Sequence, residues 1–483
     1  MTNLLMNDKT FKSPHFSYMS EAQCQKIHWA SLEILERVGV LLYSREAIEL
    51  LASAGVDVDG NLVRIRSGLV EKALVTVPKR VALFNRDGEL AMPVEGHQVF
   101  FGPGSDCLHI LDHHTSQRRK PKIQDVVEGV TLCDGLPEID FVMSMVLPAD
   151  VDMTLADRYQ MEVLLSYTKK PILFVTYEYE GCVDVVEMAQ IVAGGEDSLR
   201  RRPNVVGYVN VTTGLRHNEE ALQKLLFLAD KGLPAIYAPD VCSGVTGPVT
   251  VPGSVALTLA GVLAGIVISQ LKREGAPIII PGWGGAPMDL RTTVAPYCQP
   301  DARSMMVAMG HYYQLPVFSI GGASEAKTAD QQAAAEAALT LMAESMSGGG
   351  IVHDVGYLES GLTYSFQMLA ICTEIIRWIK TYAKELEVND ETLAMDLINE
   401  IAHKEQYIHL DHTFRNFRQH YYPDLFERGI YDNWVAQGSK TLGQRAAERV
   451  DEVLGKHRPD ILDERLRAEL NLIVNRAVAK ARK

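Results

Sequence analysis

Two glycine-bounded stretches late in the chain carry the side chains best suited to chemistry. One reads Gly321-Gly322-Ala323-Ser324-Glu325, the other His353-Asp354-Val355-Gly356-Tyr357. A histidine can orient a substrate carboxylate or act as a general acid or base near neutral pH. The alternative for His353 is a hydrogen-bonded structural role. Glu325 and Lys327 either line a site or form a solvated pair. Trp283 stands between Gly282 and Gly284-Gly285, and Tyr177, Tyr179, Tyr357 and Tyr364 follow other apolar runs. Glycines admit close approach of a ligand or a partner backbone. Aromatic rings around a mouth suit a cation or a flat apolar ligand, or they pack as ordinary loop residues.

These groups need strands behind them. The runs 316–320 and 350–353 are short, apolar and bounded by glycine or proline, and each precedes a helical pattern. That is the signature of a buried parallel strand. The same alternation recurs from residue 98, with strands expected at 98–102, 140–146, 172–176, 205–210, 235–239, 277–281, 316–320 and 350–353. Helices are expected at 123–133, 154–166, 183–192, 218–230, 256–272, 301–313, 329–345 and 363–380. Eight strands and eight helices over residues 98–385 predict an α/β chain built on a (β/α)8 TIM barrel, whose chemistry sits at the strand C-terminal ends. An open doubly wound sheet is the alternative, but no GxGxxG turn follows any strand.

Residues 1–97 read as an N-terminal accessory segment. Ser20 with Gln23 forms a capping-box start, and a hairpin is expected around Arg86-Asp87-Gly88. Residues 386–483 read as a C-terminal helical extension, with amphipathic stretches at 442–454 and 462–474. Long helical appendages of this kind suit a homo-oligomer.

The 483 residues carry 47 basic and 61 acidic side chains, a net charge of −14. That balance argues against a nucleic acid or an anionic membrane as partner. The seven cysteines are scattered singly, without CxxC spacing, as expected of reduced thiols in a cytoplasm. The first sixteen residues lack the apolar core of a signal peptide. The apolar stretch 255–270 is interrupted by glycine and is shorter than the ~18 residues that span a bilayer. A cytoplasmic protein is expected.

Two histidine groups raise the question of a metal: His113-His114, and His409 with His412 and His420. Neither has HExxH or another carboxylate-supported spacing, so no metal site is expected.

Four stretches resemble the trimethylamine methyltransferase family, and in particular its members without pyrrolysine that demethylate quaternary amines such as glycine betaine. They are Pro300-Asp301-Ala302-Arg303 with Tyr312 to Pro316, GGASEAKTADQQA from Gly321, GYLESGLTYSFQM from Gly356, and His412-Thr413-Phe414-Arg415. The resemblance covers nearly the whole chain. It implies a (β/α)8 barrel that moves a methyl group to the cobalt of a separate small corrinoid protein. The pyrrolysine of the trimethylamine enzymes has no counterpart here, which argues against trimethylamine. The pair Ser324-Glu325 also replaces an expected Thr-Asp.

A Co(I) nucleophile needs a good leaving group, and a quaternary ammonium leaves as a neutral amine without help from an acid. The protein must hold the cation, aim one methyl and exclude water. On this resemblance Trp283, Tyr357 and Tyr364 are the expected cation cage. Arg303, His353 or the N–H groups of Gly321 and Gly322 would meet a substrate carboxylate, and His353 and Glu325 are the candidate catalytic groups. The chain holds no DxHxxG cobalamin signature, so it is expected to bind no cofactor tightly and to take its cobalamin methyl acceptor from the partner. Proline betaine, carnitine and γ-butyrobetaine remain open as donors. So do a Schiff-base lyase or aldolase using Lys327 or another lysine near a strand end, although no expected strand contains a lysine, and an inactive betaine-binding protein.

Overall fold

The computed structural model describes residues 15–384, 386–404 and 406–482. Seven strands form one parallel sheet in the order Phe100–Phe101, Ile351–His353, Val317–Ile320, Ile278–Pro281, Ala235–Pro239, Val205–Val211, Ile172–Phe174. The first and last strands of that order are bridged by 140–146, where an eighth strand was expected. The N–H of Asp140 donates to the Phe101 carbonyl at 2.7 Å, and the N–H of Leu173 donates to Val142 at 3.0 Å. The stretch therefore closes the barrel without becoming a regular strand. Its ladder is broken because the Asp140 carboxylate takes the Phe101 N–H at 2.8 Å, and because Met145 turns into the left-handed region at φ 63°.

The helices run outside as expected: Ile123–Gly135, Ala156–Tyr167, Tyr179–Ala193, Glu219–Lys231, Val251–Lys272, Asp301–Tyr313, Gln331–Ser347 and Phe366–Tyr382. The Val251–Lys272 helix is longer than expected. Its 22 residues are apolar enough to cross a membrane, yet 78% of that window is buried inside the fold, so it serves as a core helix. Both its faces are covered, by the Glu21–Glu33 and Ser67–Thr76 helices of the N-terminal segment and by its barrel neighbours.

The barrel interior is a separate apolar core of Phe100, Phe141, Met143, Leu173, Val206, Ile236, Ile279, Phe318 and Ile351. Its N-terminal end is stoppered by the expected hairpin, Val81–Phe84 paired with Leu90–Val94. Alternate residues Val81, Leu83, Met92 and Val94 point into that core. The Phe84 N–H bonds Pro203 at 2.9 Å, and the Arg86 N–H bonds Lys169 at 2.9 Å, each just before a barrel strand. The lower end is plugged, and Tyr208 and Trp283 cover the upper end of the core.

The N-terminal segment is bonded into the barrel, because Val40–Leu42 pairs with Arg216–His217. In the C-terminal extension, Leu442–Lys456 packs on Phe366–Tyr382 and Ile123–Gly135, and Glu464–Ala481 packs on Ala156–Tyr167 and Tyr179–Ala193. Between them, short helices from 390 to 436 leave many large apolar side chains exposed, Ile408, Phe414 and Tyr431 among them.

Candidate active site

The loops at the strand C-terminal ends enclose a cavity of about 390 Å³. Tyr208, Trp283, Tyr297 and Tyr357 supply aromatic surface, Asp106, Asp240 and Asp354 supply carboxyl groups, and Arg303, His353 and Asn210 complete the polar lining. Two small sheets brace the mouth. Tyr357–Leu358, Thr363–Ser365, His109–Leu111 and Arg118–Arg119 form one, and Cys242–Ser243 pairs with Ala286–Pro287 in the other.

Glycines set the spacing of these walls. A Cβ on Gly104 would lie 1.9 Å from the Asp354 carboxyl and 2.4 Å from the Tyr357 hydroxyl. The first loop reaches the site only because that Cβ is missing. Gly282 likewise packs its Cα on Ser319, so the chain can turn and project Trp283 over the barrel core.

Trp283 joins an aromatic group on the floor. Its ring centroid lies 5.9 Å from Tyr208, 5.5 Å from Phe318 and 5.4 Å from His353, at tilted or edge-on angles. The His353 ring stacks on Phe318 with centroids 3.8 Å apart. Its Nδ1 lies 2.6 Å from the Ser319 carbonyl. A carbonyl only accepts, so Nδ1 carries the proton and Nε2 presents a lone pair. Burial pushes the His353 pKa down to about 3, so the ring is neutral at physiological pH.

Asp354 follows directly, at φ 70° and buried. Burial pushes its pKa up to about 8, against the opposing influence of Arg303 and Tyr357. Asp106 and Asp240 are also raised by burial. Ser144 and Gln160 donate to the Asp106 carboxyl at 3.1 and 3.3 Å. Arg303 is the cation among the lining residues. Its Nη1 donates to the Tyr297 carbonyl at 2.7 Å, and its Nε lies 3.5 Å from Glu344, whose side chain is fully buried. Burial lifts the Glu344 pKa to about 7 although Arg303 opposes it.

Of the residues expected from sequence, the cavity gathers Trp283, Tyr357, Arg303 and His353. Five others lie outside its lining. Tyr364 is fully buried behind Tyr357, with the ring centroids 5.9 Å apart and perpendicular. The Gly321 N–H is spent on the His353 carbonyl at 3.0 Å, and the Gly322 N–H on the Thr340 hydroxyl at 3.1 Å, so neither points at a ligand. The Glu325 carboxylate accepts the N–H groups of Tyr297 and, at 2.9 Å, Cys298. It holds the loop that carries Tyr297 and does not itself line the cavity. Lys327 is exposed, its Nζ on the Glu325 carbonyl at 2.6 Å.

Sequence reasoning gave no role to Tyr208, Asn210, Asp240, Tyr297, Asp106 or Asp354. Tyr208 and Asn210 had a signal, since alternate residues of one barrel strand face one way. Asp240, directly after the Ala235–Pro239 strand, had a positional one. Tyr297 lies in an irregular loop with neither. Two groups have ligating atoms within 4.8 Å of one another: Cys298 with Glu325 and Glu336, and His113 with His114 and Asp451. In the first, backbone N–H groups already occupy both carboxylates. His409, His412 and His420 form no such group among the described residues.

Residues 3–481 match the family model described as trimethylamine methyltransferase (MTTB). The chain is 31% identical over 460 residues to the trimethylamine methyltransferase MttB of Desulfitobacterium hafniense, covering 94% of this chain and 92% of that one. It is 28% identical over 467 residues to a glycine betaine methyltransferase of Desulfitobacterium hafniense, covering 95% and 97%. The crystal structure of the Methanosarcina barkeri monomethylamine methyltransferase aligns over 91% of this chain and 98% of its own, at 11% identity and TM-score 0.46. The family match spans the barrel, both flanking segments and every residue of the cavity, and the chain belongs to the trimethylamine methyltransferase family.

Proposed function

We propose that this chain transfers a methyl group from a quaternary amine, glycine betaine first, to the Co(I) of a separate corrinoid protein, releasing dimethylglycine. The observation that carries this reading is the cavity, a space at the barrel mouth above an apolar core, walled by four aromatic residues and three carboxyl groups, with one arginine. Aromatic faces attract a cation that has no N–H to donate. Each cation–π contact contributes on the order of 1–2 kcal/mol when desolvated. Arg303 suits the far, carboxylate end of a betaine. The similarity to a glycine betaine methyltransferase supports that donor. The absence of pyrrolysine from the sequence weighs against trimethylamine.

The chain's residues have three tasks. Trp283, Tyr208 and Tyr357 hold the trimethylammonium group. Arg303 and the protonated carboxyl of Asp354 fix the carboxylate, which orients one methyl toward the mouth. The plugged barrel beneath keeps water away from the reacting methyl. His353 acts by shape: a neutral ring stacked on Phe318 cannot supply a proton, and a quaternary amine needs none. The corrinoid supplies the cobalt nucleophile. Val245, Val249, Leu290 and Leu362 are exposed on the loops of the mouth, where a partner would have to dock.

A Schiff-base lyase would need a lysine in this cavity, and the lining residues include none. An inactive binding protein would share the cavity but transfer nothing. The test is a methyl-transfer assay with Co(I) cobalamin, free or on a corrinoid protein, and glycine betaine, proline betaine, carnitine and trimethylamine in turn. Turnover with a betaine and none with trimethylamine is expected. Silence with all four overturns the reading.

A further inference from the structure

We propose that His113, His114 and Asp451 form a binding site for a zinc-class divalent cation that fastens the C-terminal extension to the barrel. The site lies apart from the cavity and does not depend on the methyl-transfer reading.

The two histidines sit in the turn between the His109–Leu111 and Arg118–Arg119 strands. Successive residues on an extended chain point to opposite faces. Here the rings converge, with centroids 4.0 Å apart. The turn is held for this. Asp112 accepts the N–H groups of His114 at 3.1 Å and Thr115 at 2.9 Å, while Ser116 adopts φ 58°. Arg119 in turn bonds both Asp112 and Asp125.

The carboxylate comes from the far end of the sequence. Asp451, on the Leu442–Lys456 helix, places Oδ1 3.0 Å from the His113 Nε2 and 3.6 Å from the His114 Nε2. The shorter distance alone is an ordinary hydrogen bond. The longer one is too long for a hydrogen bond, yet it is a fitting separation for two ligands of one ion. Metal–ligand bonds of about 2.0–2.1 Å at tetrahedral angles put neighbouring ligand atoms about 3.3–3.4 Å apart, between the two observed distances. Two imidazoles and one carboxylate form an N/O set suited to zinc, with a fourth position left for water. Access is provided, because His114 is 63% exposed and Asp451 50% exposed, while His113 at 10% anchors the set. The role is structural. The ion would bridge a hairpin of the mouth sheet to a helix packed on two barrel helices, joining segments 338 residues apart.

The experiment uses the full chain, stripped of metal with a chelator and titrated with Zn²⁺ against a chromogenic indicator, and in parallel with Co²⁺. His114→Ala removes an exposed side chain, and Asp451→Asn keeps an acceptor for His113, so both variants are expected to fold. The wild type should take up one equivalent of Zn²⁺ and show the visible absorption of four-coordinate Co²⁺, without the thiolate band that the Cys298 group would give. Each variant should bind about 100-fold more weakly. Zn²⁺ should raise the Tm of the wild type and not of the variants. Undiminished Zn²⁺ affinity in either variant, or no stoichiometric binding by the wild type at micromolar Zn²⁺, overturns the proposal.

Discussion

Nε2 of His353 lies 3.5 Å from Oδ1 of Asp354, and the two side chains are buried to the same degree. Burial acts on them in opposite directions to one end. It strips His353 of its proton, since its pKa is about 3. It keeps the proton on Asp354 to about pH 8. Both are neutral at pH 7, so this pair places no charge beside Arg303.

That arrangement predicts a pH profile. A substrate carboxylate held by Arg303 tolerates a neutral Asp354 and is repelled by an ionised one. The KM for glycine betaine should therefore rise about tenfold per pH unit above pH 8. Asp354→Asn should remove this rise. Tetramethylammonium, which has no carboxylate, should bind better above pH 8, and a shared trend for both ligands would contradict the assignment. Stability changes with the sign of a raised carboxyl. Asp354 favours folding fully below its unfolded pKa of about 3.9, and this is lost as pH rises through about 8. Asp354→Asn should thus gain stability relative to the wild type in melting curves at pH 9.

Trp283 should matter for binding more than for folding, since its ring is partly buried over the core. Trp283→Ala should weaken a quaternary ammonium by roughly 5- to 30-fold, equivalent to about 1–2 kcal/mol. Trp283→Phe should recover most of it. Calorimetric titration with glycine betaine, and with a neutral analogue of the same shape, separates the cation–π contribution from packing.

Glu325 should behave as a positioning residue. Glu325→Ala frees the N–H groups of Tyr297 and Cys298 and loosens one wall of the cavity. The KM is expected to rise on the order of tenfold with little change in kcat, as when uniform binding is lost. Glu325→Gln keeps the acceptor and should be close to wild type. A large fall in kcat for the Gln variant would make Glu325 a chemical participant after all.

Arg303 and Glu344 are buried together, so losing one should cost more than losing both. Arg303→Met leaves the buried Glu344 carboxyl protonated and without its partner, and should destabilise by about 1–3 kcal/mol. The double variant Arg303→Met with Glu344→Leu should recover most of that in denaturant melts. It should still bind glycine betaine more than tenfold weaker than the wild type while holding tetramethylammonium nearly as well.

Gly104→Ala tests the closeness of the loops. A Cβ 1.9 Å from the Asp354 carboxyl forces one wall to move. A loss of roughly 1–3 kcal/mol is expected, together with most of the methyl transfer. Normal activity in this variant would show that the walls are looser than the structure has them.

The period-two and period-3.6 patterns and the glycine punctuation carried the barrel in the sequence, because they are local consequences of which faces are buried. Seven strands, eight outer helices and the hairpin stand where those patterns put them. The eighth strand was legible only as apolar alternation. Its failure to form a ladder depends on the Asp140 carboxylate reaching Phe101, a contact between segments that no window of sequence spans. Position at a strand end was enough to find Trp283, His353 and Tyr357, while Arg303 came from a motif. It could not tell which neighbours turn inward, so Tyr364, Glu325 and the Gly321-Gly322 amides were expected in a cavity that they support from outside. Charge state was likewise beyond the sequence, because the opposite pKa shifts of His353 and Asp354 come from burial. So was the carboxylate beside His113 and His114. Residue types and local periodicity determined the architecture of this protein, and only the long-range packing of its loops and its C-terminal helix decided which side chains face one another.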